Sequence, residues 1–130
     1  KKKISSSKII SMQKKKTGKL FEFCCLAPAI IAGADNKTKR DMCFVGEEIG
    51  FLFQIVDDLL DVRGNKKDVG KPVKKDKKKG KSTIIDLIGY NQTLEFAFRR
   101  KKMIIGKLKK YGKRSDKLIQ TVEFIMDRSY

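Results

Sequence analysis

The chain has no histidine and no tryptophan, and only two prolines and three cysteines among its 130 residues. Without histidine, the common zinc cages and the Ser-His and Cys-His nucleophilic pairs are disfavoured. Cys24, Cys25 and Cys43 are odd in number and two are adjacent, which is no disulfide framework. Small buried thiols in a reducing cytoplasm are the expected state. No uncharged apolar run is long enough to span a bilayer, so no membrane span is expected. The basic start, Lys1 to Lys3, is not followed by the apolar stretch and cleavage site of a secretory signal. Acid is scarce too: 15 Asp and Glu stand against 32 Lys and Arg, a net charge of +17. That charge suits nucleic acid. The cations are mostly lysine, however, spread over every segment, whereas arginine is the side chain that forks onto bases and phosphates. A basic helical nucleic-acid binder stays as an alternative, and no nucleic-acid partner is expected.

Hydrophobic residues make up 40% of the chain, enough for one domain with a core. Alternating strand patterns and hairpin signals are missing, and the apolar residues recur at helical spacing. The expected fold class is therefore all-α. One of Ser5, Ser6 and Ser7 can cap a helix through Met12, with a break or kink near Thr17 and Gly18. Leu20 to Ala32 reads as an apolar helix bent by Pro28 and closed by Gly33. A short polar turn, Ala34 to Thr38, leads into a central helix from about Lys39 to Val62, in which Gly46 and Gly50 permit close approach. Thr83 or Ser82 caps Ile84 to Ile88, which Gly89 stops. Thr93 is the expected cap of a helix from Leu94 to about Tyr111, ended by Gly112, and Ser115 that of the last helix, with a stripe at Leu118, Ile119, Val122, Ile125 and Met126.

The central helix carries the chemistry. It is apolar on most sides until Asp57, Asp58 and Asp61 arrive within five positions. Asp57 and Asp61 are four apart and share a face, about 6 Å along the axis. Like charges repel at that spacing, burying them unpaired is costly, and acid at a helix C-terminus opposes the dipole. A solvated helix end is one reading and a divalent cation is the other. Magnesium suits oxygen ligands and is usually completed by substrate phosphates.

Arg63 to Lys81 is different in composition, with Gly, Asn, Asp, Pro and nine lysines and no apolar period. It is expected to be a mobile basic loop. Gly80-Lys81-Ser82-Thr83 looks like the end of a nucleotide P-loop, but Lys75 stands where the earlier glycine is required and no strand precedes it. The stretch from Gly64 to Lys71 fails on spacing as well. Lys71 and Lys81 remain as glycine-preceded lysines just beyond three carboxylates, and lysine serves phosphate as a point charge.

Lys16-Thr17-Gly18, then Phe53-Gln54-Ile55-Val56-Asp57-Asp58-Leu59-Leu60-Asp61, then Gly70-Lys71, then Gly80-Lys81-Ser82-Thr83 follow one another in that order. This series resembles the C-terminal half of the trans-isoprenyl diphosphate synthases, the farnesyl and geranylgeranyl diphosphate synthase family. The resemblance covers essentially all of the chain. It implies an all-α bundle around an apolar cavity, usually a homodimer, that condenses isopentenyl diphosphate with an allylic diphosphate. It implies that Asp57, Asp58 and Asp61 form the second of two aspartate-rich clusters that hold Mg2+. Lys16, Lys71 and Lys81 would contact the allylic diphosphate or the metal-bound cluster around it. Thr17 and Gln54 would aim their oxygens at the allylic cation, and Phe53 would line the isopentenyl side. Lys16, Thr17, Gln54 and Lys71 are thus the expected catalytic residues.

The first aspartate-rich motif does not occur between Lys1 and Asp57, and neither do the upstream basic residues that would hold isopentenyl diphosphate. Residues 1–130 are therefore expected to be the C-terminal part of a single polyprenyl synthetase domain, inactive alone. A non-catalytic regulatory or scaffold subunit of the same fold is a further alternative, opposed by the intact Lys16-Thr17, Gln54 and aspartates. Terpene cyclases and head-to-head synthases share bundle and metal but lack this Lys-Thr-Gly and Gly-Lys arrangement.

Overall fold

The computed structural model describes residues 11, 14–64 and 83–128, and the regular elements among them are all helical. A π-helical turn, Lys14–Gly18, leads into α1 (Lys19–Ile31). The chain continues through α2 (Asn36–Gly64), α3 (Ile84–Ile88), α4 (Tyr90–Leu108), a 3-10 segment (Lys109–Ser115) and α5 (Asp116–Asp127). The all-α expectation holds. No described helix is long and apolar enough to cross a membrane. The helix expected at residues 5–12 and the loop expected at residues 63–81 fall largely outside the described residues, but Arg63 and Gly64 are the last turn of α2.

The helix ends explain where the sequence reading holds and where it shifts. Gly33, at φ 65°, closes α1 as expected. Its N–H donates to the Ile30 carbonyl and the Ala34 N–H to the Ala29 carbonyl, the paired bonds of a Schellman end. The start of α2 is fixed by a cap that the sequence reading missed: the Thr38 N–H donates to Asp35 Oδ1 at 2.6 Å. Thr83 caps α3 as expected, in a reciprocal box with Asp86. The start expected at Thr93 is displaced. Gly89, at φ 82°, turns the chain directly into α4, so Thr93 lies inside the helix, fully buried, with its hydroxyl donating to the Gly89 carbonyl at 2.7 Å. Ser115 does precede α5 but makes no cap bond; its hydroxyl donates back to the Gly112 carbonyl at 2.8 Å.

α2 is the spine. Ile49, Phe51, Leu52, Ile55 and Leu59 are buried along it, against Ala97, Ile104 and Leu108 of α4 and Val122 and Met126 of α5. Two small residues set its approach to α1. A β-carbon on Gly46 would lie 2.5 Å from the Phe21 carbonyl oxygen, and one on Gly50 would lie 2.6 Å from the Gly18 Cα. Against α4, two ion pairs fix an antiparallel register. Asp41 pairs with Lys107 at 2.7 Å and Glu48 with Arg100 at 3.1 Å, seven residues apart on each helix. Each cation also faces a ring three residues beyond its acid: Lys107 lies 5.3 Å from the Phe44 ring centroid and Arg100 5.6 Å from that of Phe51. The Tyr111 hydroxyl donates to Asp41 at 2.8 Å. The Lys107 bond, and then the Tyr111 bond, hold the Asp41 carboxyl below its usual range. Burial, reinforced by Asp41, pushes the Tyr111 phenol up.

α1 is apolar yet has no buried residue. Leu20, Phe23, Ile30 and Ile31 face outward, and Ile31 is 87% exposed.

Candidate active site

The site is built where the π turn meets the carboxyl-terminal half of α2. Gly18 is buried against Gly50, which only two residues without β-carbons allow. The contacts of Gly50 with Gly18 and of Gly46 with Phe21 and Glu22 run in opposite senses along the two helices. The chain N-terminal to Gly18, which carries Lys16 and Thr17, is therefore directed towards the Gln54 end of α2. The π turn is the form that the expected break at Thr17 and Gly18 takes, and such turns often mark functional sites.

Along α2 the next residues of the motif follow at helical spacing. Phe53 and Gln54 are half-buried; the Phe53 ring sits 5.7 Å from that of Phe21, which ties α1 to this level. Asp57 and Asp58 are half-buried one turn further on, and Asp61 is exposed after one more. Thr17 is half-buried in the π turn. The structure thus seats the Lys-Thr-Gly turn at Gly50 of the helix that carries the aspartate motif further along. Lys71 and Lys81 lie outside the described residues, as does the side chain of Lys16.

One residue at this site escaped the sequence reading. Arg128, just past α5, donates from Nη2 to Asp57 Oδ1 at 3.2 Å. Its guanidinium carbon lies 5.1 Å from the Phe53 ring centroid. Phe53 and Asp57 are four apart, so the guanidinium rests on one face of α2 between ring and carboxylate. No sequence signal marked it: the partner is 71 residues away and a lone arginine after a helix is commonplace.

The donor set fits a hard divalent cation. The carboxylates offer oxygen alone, they sit at the negative end of a helix, and Asp57 already draws a cationic group. Among the described residues no three acids or thiols converge closely enough to cage an ion. Oxygens from a ligand would have to complete such a shell, as is usual for magnesium.

An all-helical arrangement of the described elements, with a glycine-packed turn seated on the helix that carries the aspartates, belongs to the isoprenoid synthase fold. The chain is a member of the polyprenyl synthetase family, whose sequence profile matches residues 1–123. It is 37% identical to a geranylgeranyl diphosphate synthase of Sulfolobus acidocaldarius, over 86% of this chain and 32% of that protein. It is 34% identical to a farnesyl diphosphate synthase of Geobacillus stearothermophilus, over 72% of this chain and 32% of that protein. It is 36% identical to geranylgeranyl pyrophosphate synthase 4 of Arabidopsis thaliana, over 88% of this chain and 31% of that protein. The chain spans about a third of the length of these curated relatives, a smaller share than the half expected from its motifs.

Proposed function

We propose that the protein to which this chain belongs is a short-chain trans-prenyltransferase that condenses isopentenyl diphosphate with an allylic diphosphate, acting as a homodimer with Mg2+. The observation that carries this reading is the seating of the Lys-Thr-Gly turn on Gly50, on the same helix that leads to Gln54, Asp57, Asp58 and Asp61. The relatives named as diphosphate synthases support it. In this reading residues 1–130 are part of one polyprenyl synthetase domain, and the rest of the cavity comes from sequence outside them. The three cysteines are not buried, contrary to expectation: Cys24 is exposed and Cys25 half-buried on α1, which has no buried residue, and Cys43 is half-buried on α2. As free thiols they suit a reducing cytoplasm.

The division of labour follows from the residue types. Asp57, Asp58 and Asp61 would hold magnesium through carboxylate oxygens, with Asp57 and Asp61 foremost. Magnesium, when bound, would neutralise charge on the departing diphosphate. Lys16, Lys71 and Lys81 bind the allylic diphosphate as point charges. Thr17 and Gln54 present neutral oxygens to the allylic cation, which lowers its energy without trapping it as a covalent adduct. Phe53 lines the isopentenyl side and excludes water. No histidine base is needed, because the released diphosphate can accept the proton.

The full-length protein supplied with Mg2+, isopentenyl diphosphate and an allylic diphosphate should form a chain-extended product. Asp57→Ala should lower turnover by about two to three decades, the usual loss for one transition-state electrostatic contact, with the helical circular dichroism signal unchanged. No extended product from any allylic diphosphate, or normal turnover in Asp57→Ala, contradicts the reading.

A further inference from the structure

We infer that Arg128 is the resident counterion of Asp57, a positioning residue that a metal ion must displace from the carboxylate. The inference rests on the proposed role of Asp57 as a metal ligand. Nη2 of Arg128 lies 3.2 Å from Asp57 Oδ1, and the guanidinium carbon lies 5.1 Å from the Phe53 centroid. Both partners stand on one face of α2, while Arg128 comes from the turn that ends α5. The arginine is about one-third exposed and Asp57 somewhat more, so water reaches both and exchange is open to solvent. Arg128 therefore does at rest what a bound cation would do: it neutralises the first carboxylate of the motif and satisfies one of its oxygens.

A guanidinium at that oxygen and a metal ion at the same carboxylate repel each other and compete for the same lone pairs. The ring of Phe53 gives the displaced guanidinium a surface to remain on, since the cation–π contact does not need Asp57. Metal binding then trades one ion pair for another, and the end of α5 keeps only the weaker Phe53 contact of its two Arg128 ties to α2. The direction of the effect separates this role from a scaffolding one. If Arg128 merely supports the site, its removal weakens metal binding. If it competes, its removal tightens it.

The test is a titration of the full-length protein with Mn2+ alone, read by the electron spin resonance of the free ion. Arg128→Gln should bind Mn2+ about two- to five-fold more tightly than the native protein, the factor equivalent to one exposed ion pair. Arg128→Lys, which keeps the charge, should stay near the native value. Asp57→Asn should abolish the difference by weakening binding in both backgrounds. Equal or weaker binding in Arg128→Gln, with Asp57→Asn still harmful, overturns the competition and leaves the metal role of Asp57 standing. Binding that ignores Asp57→Asn overturns both. A second measurement needs no variant: backbone amide exchange over residues 125–128 of the native protein should quicken when Mn2+ binds. Exchange that is unchanged or slower overturns the inference.

Discussion

Asp41 and Glu48 are acids on the buried side of α2, at 6% and 2% exposure, and each meets a cation of α4. For Asp41 the environment has a consequence that pH can read. Its carboxyl is held below the ordinary value of about 3.9, first by the Lys107 bond and then by that of Tyr111. A carboxyl depressed in the fold stabilises it fully above the unfolded pKa, and that contribution is lost as pH falls through the folded value. Asp41→Asn should therefore cost about 1–3 kcal/mol near neutral pH, and progressively less below about pH 4. Melting temperatures of both proteins from neutral to acid pH check this; curves that stay parallel would contradict it. At this scale the sequence was only partly readable. Asp57, Asp58 and Asp61 stood out because acid ended an apolar run. Their neighbour Arg128 did not, because its contact depends on how α5 packs and leaves no local pattern.

Between elements, glycines decide more than helix propensity does. Gly46, Gly50 and Gly106 are all helical, and alanine is the better helix former by about 1 kcal/mol. Their surroundings reverse the sign for two of them. A methyl on Gly46 or Gly50 would strike backbone of α1 or of the π turn, which cannot swing aside as a side chain can, whereas no described atom lies within 4 Å of one on Gly106. Gly106→Ala should stabilise by about 0.5–1 kcal/mol. Gly46→Ala and Gly50→Ala should each destabilise by about 1–3 kcal/mol through overpacking, and Gly50→Ala should also lower the proposed prenyltransferase turnover of the full-length protein by shifting Thr17. Urea melts with a turnover assay check the set; a neutral Gly50→Ala would contradict the seating of the turn. The sequence had marked Gly46 and Gly50 as permitting close approach, and the helix starts at Ile84 and Lys19 lay close to expectation. The start of α4 was misread because a capping threonine and a back-bonded threonine look alike until the preceding glycine's φ is known. The π turn was legible only as a break, since propensity does not distinguish one irregular turn from another.

For the whole molecule, what the sequence conveyed best was class: helical period on both sides of the lysine-rich stretch from Arg63 to Lys81, with motifs in order. What it could not convey is which apolar surfaces the described helices cover, and the outward-facing Leu20, Phe23, Ile30 and Ile31 are the result. The charge pattern has a thermodynamic reach of its own. With 15 acids against 32 basic residues, turning Asp41 and Glu48 inward leaves the outer surface more one-signed than the composition alone implies. Dissolved electrolyte will act on these two populations unequally. Mutual repulsion among outer lysines reaches across about 30 Å at 0.01 M salt but only about 10 Å at 0.1 M, while the pairs inside are screened much less. Moving from dilute buffer to about 0.1 M sodium chloride should therefore raise the melting temperature. Protein held mainly by surface ion pairs would move the other way, and a fall on adding salt would show that the outer charges attract more than they repel.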